Sequence, residues 1–168
     1  TLIVTAGTAT YGLDVLGGLI AGQCLVVTGP GPIGLMCVGV AKALGASPVI
    51  LTGTSGDRRR LEIGRKFGAD EVVNVNEEDA VAAVRRITGG KGAHYVMECS
   101  GAPNAVNQAA YMVSRGGRIC LAAFAQEPVP VDIRYLVSNN IYLFGIRGEG
   151  RSATRRAAAL MAQARFPA

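Results

Sequence analysis

Gly29, Gly31 and Gly34 stand in the stretch TGPGPIG at the spacing G-x-G-x-x-G. An apolar run, Leu25-Val26-Val27, precedes them and a helical pattern of apolar residues follows from Ile33. The chemistry such a turn serves is non-covalent capture of a phosphate. The first glycine permits a tight turn, the second removes a Cβ so that backbone can approach a pyrophosphate, and the third lets helix and strand pack closely. The helix that Pro32, Ile33 and Gly34 open then aims its unpaired N–H groups and its dipole at the anion. Pro32 fits the first helical position, where a missing N–H is no loss. Glycine turns also arise for structural reasons alone. Here the context favours a ligand: a strand before, an amphipathic helix after, and a second strand that ends about 20 residues on.

The end of that second strand, where an acidic residue would bond the ribose 2′-hydroxyl of NAD, reads VILTGTSGDRRR. Gly53 stands where the acid is expected, followed by Thr54, and Arg58, Arg59 and Arg60 come shortly after Asp57. A carboxylate would repel a 2′-phosphate, whereas a glycine leaves room and a guanidinium pairs with it in a fork. Gly53, Thr54, Arg58 and Arg60 therefore read as an NADP(H) site in preference to NAD(H). The alternative makes the arginines a solvated helix face and gives the ribose to Thr54, Ser55 or Asp57.

The elements that must position these residues alternate along the chain. Runs rich in β-branched residues lie at Cys24–Thr28, Val49–Thr52, Glu71–Val75, Tyr95–Cys99, Arg118–Ala122 and Ile141–Gly145. Between most of them apolar residues recur at helical spacing, as at Ile33, Met36, Cys37, Val40, Ala41 and Leu44, at Ala80 to Ile87, and at Ala105 to Val113. Phe124 to Leu136 carries two prolines and reads as an extended loop. Continuous apolar strands alternating with helices predict an α/β domain: a doubly wound, six-stranded parallel sheet covered by helices on both faces. Residues 1–168 read as one such domain. A weak internal echo supports two halves, since VVTGPGPIG and VMECSGAPNAV each run strand, glycine turn, helix. In this fold Cys99, Ser100 and Gly101 close the fourth strand at the point where strand order reverses. Ala122 and Ala123 close the fifth, and Ile146 and Arg147 the sixth. These backbones are expected to line the far end of a bound dinucleotide.

Composition narrows the function classes. Hydrophobic residues make up 49% and charged residues 17% of the 168, which is ample for a core and unlike a disordered chain. Val15 to Ala41 carries no charge, but Gly29-Pro30-Gly31-Pro32 interrupts it, so a buried strand and helix explain it better than a membrane span. The net charge is +5, yet no RNP motif, zinc finger or basic stripe with interleaved aromatics accompanies it, which argues against nucleic acid. Cys24, Cys37, Cys99 and Cys120 are scattered singly through apolar stretches and form no CxxC pair. They read as buried thiols in a reducing, cytoplasmic setting. With His94 the sole histidine, no complete zinc site is expected within the chain. His94, Tyr11 and Asp14 are conceivable catalytic groups, but none has a partner in the sequence, and no catalytic residue is assigned.

GPGPIGLM, GAD at Gly68–Asp70, YVMECSG at Tyr95–Gly101, GGRICLAAF at Gly116–Phe124 and FGIRG at Phe144–Gly148 together resemble the cofactor domain of the medium-chain dehydrogenase/reductase family, most closely its zinc-dependent polyol and threonine dehydrogenase branch. The resemblance covers nearly the whole chain. It implies a Rossmann fold binding NAD or NADP, in a parent enzyme that passes hydride from a secondary alcohol to nicotinamide with a zinc ion as Lewis acid. It further implies that the zinc belongs to a separate catalytic domain with no counterpart in this sequence. TAGTATYGLDVL resembles the helix linking the two domains, and RAAALMAQARF the helix after the sixth strand. The chain, which starts at Thr1, therefore reads as the cofactor half of such an enzyme and as inactive alone. Family likeness also implies a homodimer paired through the edge strand around Asn140–Gly145. The competing expectations are the same domain from a zinc-free quinone or enoyl reductase, and a nucleotide-binding module without chemistry.

Overall fold

The structure, a computed structural model, describes residues 2–148 and 150–163. Six strands, β1 (Leu25–Thr28), β2 (Val49–Gly53), β3 (Glu71–Asn74), β4 (Ala93–Glu98), β5 (Val113–Leu121) and β6 (Tyr142–Gly145), form one sheet in the order β3-β2-β1-β4-β5-β6. Every pairing is parallel. The order reverses between β1 and β4, as in a doubly wound sheet.

The continuous apolar runs follow from burial on both faces. Leu25, Val27, Leu51, Tyr95 and Met97 pack to one side with α2 (Pro32–Ala43), α1 (Leu2–Thr10) and α7 (Arg151–Met161). Val26, Ile50, Val96 and Ile119 pack to the other with α4 (Ala80–Ile87) and α5 (Ala105–Met112). α3 (Arg58–Lys66) follows a short 3₁₀ turn, Ser55–Asp57, and buries Leu61 and Gly64. No helix among the described residues is long and apolar enough to cross a membrane.

Three local features depart from the sequence expectations. The helical pattern through Val113 stops at Met112, and Val113 instead opens β5, paired with Ala93. The chain then bends at Gly116, which has φ +74° and donates its N–H to the Asn139 carbonyl at 2.9 Å, before regular pairing resumes at Arg118. A left-handed residue inside a strand pattern signals an irregularity of this kind. Secondly, the stretch to Leu136 is not wholly extended: α6 (Ile133–Ser138) starts within it, capped by the Asp132 carboxylate accepting from the Tyr135 N–H at 2.9 Å. The cap, not apolar spacing, makes this helix.

Thirdly, the leading helix widens to π geometry over Tyr11–Leu16. The Tyr95 hydroxyl, on a side chain 1% exposed, donates to the Gly12 carbonyl at 2.7 Å. The ring edge stands where a Cβ on Gly17 would be. An inserted hydrogen-bonding side chain is a recognised cause of such a bulge. Burial pushes the Tyr95 phenol far above its ordinary range, so it remains a donor. Without it, the buried Gly12 carbonyl would lose its side-chain donor. Just beyond, Asp14 pairs with Arg156 of α7 at N–O distances of 2.9 and 2.6 Å. Arg165 and Phe166 of the anticipated final helix lie outside the described residues.

Candidate functional site

The C-terminal edge of the sheet opens where β1, β2 and β4 end. Gly29 leaves β1 with φ +86°, its N–H donating to the Thr52 carbonyl at 3.0 Å. A Cβ there would lie 2.8 Å from the Ser100 Cα, so the turns after β1 and β4 touch. Gly34, one helical turn on, backs against the Gly29 carbonyl oxygen, which a Cβ would overlap. Both glycines are therefore committed to protein contacts. Gly31 differs: it caps α2 with ordinary extended geometry (φ −69°, ψ 178°), and a Cβ on it would meet no protein atom within 4 Å beyond its two chain neighbours. Behind it come Pro32 at the first helical position and the first-turn N–H groups of Ile33 and Gly34, which precede any intrahelical acceptor. The turn is locked at both ends and open at its middle glycine.

Beside it lies a cleft of about 130 Å³ whose walls include Thr28, Gly29, Gly53, Thr54, Asp57 and Ser100. At the β2 end, Asp57 accepts from the Thr54 N–H at 3.1 Å and from the Thr54 hydroxyl at 2.8 Å, while its other oxygen takes the Arg60 guanidinium at 3.2 Å. The Thr54 hydroxyl, then its N–H and Arg60, hold this carboxyl below its ordinary range. The next N–H, of Ser55, donates to the Asn76 side-chain oxygen at 2.8 Å. Gly53 leaves no vacancy, because a Cβ would meet Leu61 Cδ2 at 2.9 Å and the Pro30 ring at 3.0 Å. Packing alone thus accounts for that glycine. Arg58 is exposed, and neither it nor Arg60 borders the cleft.

At the β4 end, Cys99 directs its thiol inward; contact with Cys37 and burial push it well above its ordinary range. Its N–H donates to the Thr28 carbonyl at 2.9 Å. Ser100 and Gly101 wrap around the Glu98 carboxylate. Ala122 and Ile146 continue the same edge, with N–H bonds to Glu98 and Leu121 carbonyls at 2.8 and 2.9 Å. Arg147 lies 5.9 Å over the Phe124 ring. The structure thus gathers Gly29, Gly53, Thr54 and Ser100 around one cleft. Ala122, Ala123, Ile146 and Arg147 stand farther along the edge and do not border it.

His94 uses Nδ1 to accept the Cys24 N–H at 3.1 Å, and Asp14 is held by Arg156, so each has a structural partner. Glu98 and Asn76 escape motif reasoning. Asn76 carries no sequence signal, whereas Glu98 is the one charge within the apolar run YVMEC. Among the described residues, no three His, Cys, Asp or Glu side chains come together to hold a metal ion.

The sheet order and the open glycine turn at its reversal point define a Rossmann-type α/β domain. The zinc-binding dehydrogenase family matches residues 32–163. The L-threonine 3-dehydrogenase of Thermococcus kodakarensis is 46% identical over 123 residues, which are 73% of this chain and 35% of that protein. The sorbitol dehydrogenase of Bacillus subtilis is 34% identical over 126 residues, 74% of this chain and 35% of that one. A crystal structure of an alcohol dehydrogenase from Thermotoga maritima superposes with a TM-score of 0.86 at 30% identity, covering 94% of this chain and 44% of the other. The chain belongs to the zinc-binding dehydrogenase family. It spans little more than a third of the curated relatives it matches.

Proposed function

We propose that residues 1–168 are the dinucleotide-binding half of a nicotinamide-dependent dehydrogenase acting on a secondary alcohol, a polyol or an amino or hydroxy alcohol. The observation that carries this reading is the asymmetry of the glycine turn. Gly29 and Gly34 are small because protein fills the space, whereas Gly31 is small where no protein stands. A pyrophosphate at Gly31 would meet the N–H groups of Ile33 and Gly34 and the positive end of α2. Ser100 and Gly101, then Ala122, Ala123, Ile146 and Arg147, extend the edge for the remainder of the ligand. The nicotinamide, when bound, supplies the hydride acceptor. The zinc that the family name implies finds no donor set among the described residues. Four free thiols, three of them buried, support work in a reducing compartment.

The ribose end is better suited to NAD(H). The Thr54 and Ser55 N–H groups that a 2′-phosphate would need are taken by Asp57 and Asn76, and Arg60 is bound to Asp57. An ionised carboxylate bordering the cleft repels a phosphate and accepts from a hydroxyl. Exposed Arg58 supports the second reading, NADP(H). Calorimetric titration with NADH and NADPH decides between them. NADH is expected to bind more tightly, and Asp57→Ala to shift the ratio toward NADPH by about tenfold. Tighter NADPH binding that Arg58→Ala abolishes would reverse the assignment; binding of neither would remove the dinucleotide reading.

We also propose that β6 pairs with its counterpart in a second copy. It is an edge strand, and Tyr142, Ile133 and Val137 beside it are 60%, 60% and 71% exposed. Apolar edges of this kind invite strand pairing. Sedimentation velocity is expected to show a dimer that Tyr142→Lys splits; a monomeric parent chain at micromolar concentration would refute it.

A further inference from the structure

Glu98 carries a charge the proposed function does not use. It closes β4 opposite Thr28, the last residue of β1, and is 2% exposed. Burial of an unpaired carboxylate is expensive. Among the described residues no cation forms a salt bridge with it; donors from the end of β1 and from the turn after β4 compensate it instead. Its Oε1 accepts from the Thr28 hydroxyl at 3.2 Å, the Ser100 N–H at 2.7 Å, the Ser100 hydroxyl at 2.5 Å and the Gly101 N–H at 3.0 Å. Thr28 immediately precedes Gly29, and Gly29 touches Ser100. One oxygen therefore ties the turn after β1 to the turn after β4, across the reversal point of the sheet.

We propose that Glu98 is a positioning residue for the dinucleotide: it holds the Thr28–Gly29 turn at the height that presents Gly31 and the α2 N–H groups to the pyrophosphate. The proposal rests on the dinucleotide reading above. Glu98 touches no ligand atom itself and acts through the turn. It also occupies the Ser100 and Gly101 N–H groups, the second-half counterparts of the phosphate-binding donors, with an anion of the chain's own. That leaves the first turn as the place for a ligand anion. Charge-assisted bonds to several backbone donors are strong enough to fix such geometry.

The test compares ADP with adenosine, because only ADP needs the phosphate-facing turn. Affinities are measured on the 168-residue chain by ligand-observed NMR and calorimetry, with urea midpoints recorded in parallel. Glu98→Ala is expected to weaken ADP by about tenfold or more and adenosine by under about twofold. Glu98→Gln keeps one acceptor oxygen and is expected to stay within about threefold of the parent for ADP. Thr28→Val keeps volume and strand preference while deleting the hydroxyl, and is expected to weaken ADP by about three- to fivefold with only a modest fall in the urea midpoint, since three donors to Glu98 remain. If Glu98→Ala does not fold, Thr28→Val decides. Equal losses for ADP and adenosine, or a Thr28→Val chain that binds ADP like the parent, would overturn the proposal while leaving the dinucleotide reading intact. Failure of the unaltered chain to bind either NADH or ADP would overturn both.

Discussion

Gly31→Ser is expected to leave the stability of the chain within about 0.5 kcal/mol while weakening NADH by at least about tenfold. The two halves of this result come from different atoms. Gly31 caps α2 in an extended conformation open to any residue, and serine is the better helix cap, so nothing in the fold opposes the change. No protein atom beyond its two chain neighbours lies within 4 Å of the added Cβ, so no tertiary packing is disturbed. The side chain projects into the space that a pyrophosphate would fill, and backbone approach to the phosphate is lost. Urea unfolding and nicotinamide fluorescence report the two quantities separately. A ligand-induced rise in melting temperature, present in the parent, should also vanish. Unchanged affinity would show that the turn faces solvent for no purpose and would remove the central support for a dinucleotide site.

Gly34→Ala should do the reverse to the fold. Its methyl would overlap the Gly29 carbonyl oxygen, and backbone cannot step aside as a flexible side chain can. The overlap costs about 3 kcal/mol, at the upper end of overpacking penalties. Alanine's better helix propensity offsets about 1 kcal/mol of this. The net loss of about 2 kcal/mol should appear as a lower urea midpoint with an unchanged slope. NADH affinity should fall as well, because relief of the clash moves Gly29 and the turn with it. Stability equal to the parent would mean that the close approach of helix and turn is not held in solution.

The glycine turn, the six strands and their doubly wound order were legible because each is a local pattern. β-branched runs and helical spacing report burial on a sheet, and three glycines report a turn that side chains cannot enter. What stayed hidden depends on which side chains meet, in most cases across long stretches of chain. Gly53 read as room for a phosphate, yet Pro30 and Leu61 fill that room, and nothing local places a proline ring 23 positions away against it. Arg60 read as a phosphate ligand, but Asp57, three residues before it, holds its guanidinium. Glu98 lies inside the YVMECSG stretch, and its link to the Thr28 hydroxyl emerges only when β1 and β4 lie side by side. The bend at Gly116 and the π turn opposite Tyr95 likewise depend on a neighbour supplying a carbonyl or a hydroxyl from elsewhere in the chain.

The packing of α1 against α7 has a mechanical meaning. The leading and trailing helices share one seam, clasped by Asp14 and Arg156, far along the chain from each other yet adjoining in space. Polypeptide attached to either helix would pull on the same small area of the domain. Force applied there would meet both helices at one seam rather than opposite ends of the sheet, beside the widened turn at Tyr11–Leu16 that Tyr95 and the Asp14–Arg156 pair hold to the domain.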